Sequence, residues 1–226
     1  MNVPVPATVT GLYAVMTAEP LERSDQLPLP HDALLRSRGS SEAGLERLAT
    51  RPHQLVLRHI GPTREAAQLL RDARVEALEL AARHDGVVID LLVPRLVEHD
   101  AAETSTAHAA QWVSIDFTQH TEGILGTEGL HVFGLPELTV EGVTQPAMMS
   151  AVLTGLAHRL IAEWPANDPV GPAVVTLRDI AYGLGDPQAS VTPVERGLSV
   201  EIGYDPVAGT LPLTLQGDPA TALFQS

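Results

Sequence analysis

The chain has no cysteine and no lysine, so all 14 of its basic residues are arginines. Without Cys there is no thiolate nucleophile, no zinc–thiolate or iron–sulfur site and no disulfide. Without Lys there is no Schiff-base or general-base lysine and no phosphate-gripping lysine of a P-loop. Arginine in place of lysine, alongside abundant Ala, Gly, Pro and Leu, is the composition that GC-rich coding produces. Its physical consequence is that every cation is a planar, permanently charged fork suited to carboxylates. Aromatics are scarce too, at 4% of residues, so a core has to be built from Leu, Val, Ile and Ala. No apolar run reaches the length that spans a bilayer, and the first residues, Met1-Asn-Val-Pro-Val-Pro6, lack the basic and apolar regions of a signal peptide. The expectation is a cytoplasmic protein with no membrane partner and no cofactor.

What the chain has in excess is acid. Its 28 Asp and Glu against 14 Arg give a formal charge of −14, a field that repels phosphate backbones and anionic membranes. The nearest approach to a basic stripe, Arg64, Arg71 and Arg74, is interleaved with Glu65, Asp72 and Glu76. Nucleic acid is therefore not an expected partner, whereas a basic protein or a cationic ligand is favoured. A hydrophobic content of 44% argues against disorder, and 226 residues can bury a sizeable core. We read residues 1–226 as a single α+β domain with loop-rich stretches at 19–52 and 98–110.

Periodicity supplies the elements. Val9 to Thr17 is a β-prone first strand, and Ser41 caps a short helix to Ala49. Gln54 to Ile60 alternates as a strand, and Thr63 is placed to cap a helix from Arg64 to Arg83. Val87 to Leu92 then returns as a strand, completing a βαβ unit with parallel strands. Trp112 to Thr118 alternates as a half-buried strand, and Leu130 to Val140 is a second, interrupted at Gly134-Leu-Pro136. A long helix runs from Thr144, its cap, to Trp164, with Met149, Val152, Leu153, Leu156 and Leu160 as the buried stripe. His158 and Arg159 fall off that stripe and should be exposed. Strands are expected at Ala173–Ala181, Gly197–Tyr204 and Thr210–Gln216, the last two joined by a hairpin turn over Asp205–Gly209. The architecture expected is a mainly antiparallel sheet with two long helices packed on it, including the βαβ unit.

The densest group of ionisable residues is Asp116, His120, Glu122, Glu128, His131, Glu137 and Glu141. Imidazole and carboxylate are the ligands left once Cys is absent, so a metal or acid–base cluster is one reading. Candidate catalytic residues are Asp116, His120, Glu122 and Glu137, and candidate metal ligands are His120, Glu122 and His131. If the strand extended to Glu122, then Asp116, Thr118, His120 and Glu122 would share a face. The plainer reading is a solvated polar face on a half-buried strand. His120-Thr-Glu122 matches the H-x-E fragment of zinc nucleobase deaminases, but the cysteine pair of that signature is missing. Gly183-Leu-Gly185 lacks the third glycine of a dinucleotide fingerprint and reads as a turn between strands. No GxSxG nucleophile elbow is present. Arg95, Glu98, His99 and Asp100 form a second charged group, read as a loop after a strand or as a ligand site.

One resemblance rests on His120-Thr-Glu-Gly followed by Gly129-Leu-His-Val-Phe-Gly-Leu-Pro-Glu-Leu-Thr-Val-Glu-Gly-Val143. This stretch is similar to a segment of uncharacterised bacterial domains of unknown function, in which a strand reading F-G-L-P-E-L precedes a helix. The resemblance implies a bacterial α+β protein and no catalytic residues, and it draws attention to Pro136 and Glu137. Two functions compete: a non-enzymatic acidic binding or interaction module, and a metal-dependent hydrolase using the His and carboxylate cluster around residues 116–137.

Overall fold

A strand that is apolar on both faces can be buried on both sides, and β1 (Thr8–Thr17) is such a strand. The computed structural model describes residues 3–21, 26–118, 120–192 and 194–224, with the backbone alone for His120. Tyr13 and Val15 point to one side of β1, where they pack with Ala73, Ala77 and Leu78. Ala14 and Met16 point to the other, against Leu35, Leu45 and Ile89. The helices and strands around β1 are α1 (Asp32–Ser37), α2 (Glu42–Ala49), β2 (His53–Pro62), α3 (Ala66–Arg83), β3 (Val87–Asp90) and β4 (Arg95–Val97). The four strands lie in the order β2-β1-β3-β4, with every pair antiparallel.

The β2, α3, β3 succession and the common direction of its two strands match the sequence reading, although the two strands do not pair with each other. β2 and β3 run in the same direction with β1 inserted between them, because the strand with two apolar faces takes the central place. Ser41 caps α2 as expected, its hydroxyl accepting from Gly44 N at 2.9 Å. Thr63 instead opens a 3-10 turn, Thr63–Glu65, so α3 starts at Ala66 with Glu65 as its N-cap. α1 and β4 lie in stretches that read as loop.

Backbone contacts make Thr8–Thr104 one compact unit, and Met1–Ala7 with Ser105–Ser226 a second. The second unit contains β5 (Ser114–Asp116), β6 (Leu125–Glu128), β7 (Glu137–Val140), α4 (Pro146–Glu163), β8 (Gly171–Thr176), α5 (Leu177–Leu184), β9 (Gly197–Ile202), β10 (Thr210–Leu215) and α6 (Pro219–Phe224). Its sheet runs β5-β6-β7-β10-β9-β8. β5, β6 and β7 form one antiparallel meander and β8, β9 and β10 another. β7 and β10 join the two in parallel. The chain is thus α+β, with its strands in two sheets where the sequence reading has one.

α4 is buried more widely than the five-residue stripe, because α5 packs on a second side of it. That contact needs glycine twice. A Cβ on Gly155 would lie 2.9 Å from Ile180, and one on Gly183 would lie 2.6 Å from the Thr154 carbonyl. α5 replaces the second half of the strand expected over Ala173–Ala181. Thr176 and Asp179 form a complete capping box, each side chain bonded to the other residue's backbone N–H, and this stops β8 and starts a helix. Gly183 is therefore helical, and Gly185, left-handed at φ 76°, is the C-cap. Thr144 does not cap α4: Gln145 holds that position without a side-chain bond, and Pro146 opens the helix. Among the described residues no helix is long and apolar enough to cross a membrane.

Candidate functional site

The expected strand face from Asp116 to Glu122 does not form. β5 ends at Asp116, whose carboxylate turns back to accept from Thr118 N at 2.9 Å, and His120–Glu122 is a 3-10 turn. The local hydrogen bond outcompetes strand extension, as Asp side chains commonly do. Glu122 is exposed, and the side chain of His120 lies outside the described residues.

Glu137, at the start of β7, is the best-bonded of the candidates. Its carboxylate accepts from Thr127 Oγ at 2.7 Å, Gly129 N at 2.9 Å, Leu130 N at 3.2 Å and His131 N at 3.0 Å. It also lies 2.7 Å from His131 Nδ1. Burial pushes this carboxyl up, but the imidazole, the two backbone donors Gly129 and His131 and the Thr127 hydroxyl together hold it below its ordinary value. These donors open the 3-10 turn Leu130–Phe133, so Glu137 acts as the turn's N-terminal cap from across the chain. Gly129 sits at φ 130°, and a Cβ there would fall 2.2 Å from the Trp112 carbonyl. Leu130, Val132 and Phe133 go into the core, and Phe133 meets Trp112 edge-on at 5.6 Å. The stretch from Gly129 to Glu137 is therefore a folding motif, two glycine-governed bends clamped by a carboxylate. The strand expected over Leu130–Val140 is this turn followed by β7, and β6 was not foreseen.

Of the proposed metal ligands and catalytic groups, the structure brings together His131 and Glu137. Among the described residues no group of three or more His, Asp and Glu could hold a metal ion.

The second charged group is also partly structural. Glu98 accepts from Ser41 N at 2.9 Å and from the Ser41 hydroxyl, tying the end of β4 to the cap of α2. With Arg47, His99 and Asp100 it rims a cleft of about 410 Å³ floored by Leu78 and Val97.

Sequence reasoning missed two features. Arg74 is fully buried: its guanidinium bonds Asp90 at 2.8 Å and Tyr13 Oη at 3.3 Å and lies 5.7 Å over the Tyr13 ring. Asp90's other oxygen accepts from Leu92 N and Val93 N, each at 3.1 Å. Burial pushes the Tyr13 hydroxyl up to about 12, against the opposing pull of Arg74. The available signal was position, since Arg74 falls between Leu70 and Ala77 on the apolar stripe of α3. The second is His158, expected to be exposed. It is half-buried, stacked on Tyr182 at 5.2 Å and 2.8 Å from the Ala107 carbonyl. Burial lowers its pKa, with that carbonyl opposing.

Charge is divided unevenly. Thr8–Thr104 has 15 acids and 11 arginines, a formal −4, whereas Met1–Ala7 with Ser105–Ser226 has 13 acids and 3 arginines, a formal −10. Two of those three arginines are bonded within the unit: Arg159 to the Val174 carbonyl and to Glu163, and Arg178 to the Thr192 carbonyl. The six-stranded sheet buries one face, through Leu138, Val200 and Leu211 among others. Pro172, Val174, Ser199, Glu201, Pro212 and Thr214 are exposed on the other. Register runs Pro172, Glu201, Thr214 in one row and Pro212, Thr139, Gly126, Asp116 in the next. Over β7 and β10 this face holds a cleft of about 500 Å³ lined by Thr139, Glu141, Pro212, Leu213, Thr214 and Leu215. Comparison of the chain with protein-family models, with curated proteins and with solved structures gives no significant match.

Proposed function

We propose that this protein is a non-enzymatic acidic binding module that engages a basic protein or a cationic ligand. The observation that carries the reading is the formal charge of −10 on one compact unit with 3 arginines. A field of that sign raises the local concentration of a cationic partner and speeds its encounter, and it repels phosphate backbones. The bonding of Glu137 supports the same reading, because a carboxylate that accepts from three backbone N–H groups and a hydroxyl is committed to the fold.

The test is titration of a fluorescent nona-arginine peptide at low and at physiological salt, with duplex DNA as a second probe. Binding that weakens as salt rises is expected, because exposed charges are screened over about 8 Å at physiological ionic strength. DNA is expected not to shift. No binding of the peptide at any salt would overturn the reading. So would stoichiometric metal in the purified protein together with a chelator-sensitive melt, which would favour the hydrolase built on Asp116, His120, Glu122 and His131.

A further inference from the structure

The binding-module reading leaves open where a basic partner would sit. The six strands of the larger sheet contain Asp116, Glu128, Glu137 and Glu201 and not one Arg or His, although 3 arginines occur elsewhere in the same unit. The acids of this unit also differ in their bonding. Glu137, Glu163, Asp179, Asp186, Asp205 and Asp218 each accept hydrogen bonds from nearby backbone or side-chain donors. The carboxylates of Glu141 and Glu201 are exposed and have no hydrogen-bond or ion-pair partner among the described residues. Glu141 lines the cleft over β7 and β10, and Glu201 is paired in register with Thr214 of the same cleft. Between them the floor is made of small or rigid side chains, Thr139, Pro212 and Thr214, so the trough is shallow and open along the strands.

We infer that this open sheet face is the docking surface, and that its occupant is an arginine- or lysine-bearing segment of another protein. The segment lies over the β7–β10 trough with its cationic heads at Glu141 and Glu201 and its aliphatic stems on Pro212. A second copy of the chain does not fit, because face-to-face contact would oppose carboxylate to carboxylate. Nucleic acid does not fit for the same electrostatic reason. The inference rests on the binding-module reading and adds a place and a polypeptide partner to it.

The experiment compares two double variants that remove the same charge from the same unit. E141Q/E201Q neutralises the open face, and D186N/E195Q neutralises two acids that lie outside the strands. Affinity for nona-arginine peptide is measured in 50 mM salt, with thermal melts confirming that each variant folds. The expected result is a loss of about tenfold for E141Q/E201Q, the size of two exposed charge pairs acting together, and of less than about twofold for D186N/E195Q. Amide shifts of the wild-type protein on adding the peptide should centre on Thr139, Glu141, Glu201 and Thr214, which checks the site without any variant. Equal losses in the two variants would overturn the docking face while leaving the module reading in place. A wild-type protein that ignores the peptide would overturn both. Spermidine competing as strongly as the peptide, with the same loss in E141Q/E201Q, would overturn the polypeptide occupant.

Discussion

The two compact units neutralise their carboxylates by different means. In Thr8–Thr104 the partners are mostly guanidinium groups: Arg36 for Glu42, Arg47 and Arg51 for Asp85, Arg74 for Asp90. In the six-stranded unit they are mostly backbone N–H groups and hydroxyls: Thr127 and the 129–131 turn for Glu137, Thr176 for Asp179, Val207 and Ala208 for Asp205, Thr221 for Asp218. The first means leaves a unit close to charge balance. The second satisfies the oxygens without cancelling the charge, so the fold is satisfied and the field survives. A surplus of acid on this protein is therefore compatible with well-bonded acids.

Breaking the deepest member of each class tests that contrast. Arg74→Ala strands Asp90 in a low-dielectric core and should cost about 3–5 kcal/mol in urea unfolding, the largest loss expected from any single change here. Leu156→Ala, at 1% exposure in the middle of α4, should cost about 2–5 kcal/mol by the same measurement. It calibrates the six-stranded unit with a change that involves no charge, and a loss under about 1 kcal/mol would mean that α4 is not packed as described.

Glu137→Gln sharpens the comparison through pH. The folded-state pKa of Glu137 is depressed, so its contribution is complete above the unfolded value of about 4.3 and is lost as pH falls through the folded value. The variant should be less stable by about 1–3 kcal/mol at pH 7, and the difference should shrink as the pH falls below about 4.3. A gap that stays constant as the pH falls would show that the carboxylate charge is not what the turn uses. The smallest effect is expected at Arg159. Its position off the helical stripe suggests a loss within about 0.5 kcal/mol on truncation. The bond to the Val174 carbonyl at 2.5 Å raises the expected cost of Arg159→Ala to about 1 kcal/mol, read as a melt lowered by a few degrees.

The same division explains what could be read from the sequence. The cap of Ser41 on α2, the proline at the start of α4 and the β9–β10 hairpin are set by residues a few positions apart, and all three were legible. Thr176-Leu-Arg-Asp179 is equally local, but the β-prone Ala173-Val-Val175 before it, with Leu177 and Ile180 after, reads as a strand. Strand order was not legible. The insertion of β1 between β2 and β3 depends on which strand can be buried on both faces, and the Arg74–Asp90 bond joins a helix to a strand. The candidate cluster around residues 116–137 failed as a face because a side chain bonding its own backbone ended the strand at Asp116, which alternation alone cannot register.

The parallel seam between β7 and β10 has a consequence for the order of assembly. Each meander closes through neighbours in sequence, the kind of contact that forms early because little chain entropy is lost in making it. The seam sets Glu137 opposite Thr210 and Val140 opposite Leu213, with α4, β8, α5 and β9 all lying between them in the chain. Its loop closure is the longest in the sheet, so the seam is expected to close after the two meanders it joins. The trough over β7 and β10 then exists only in the finished fold, and any capacity to bind there arrives with the final step of folding.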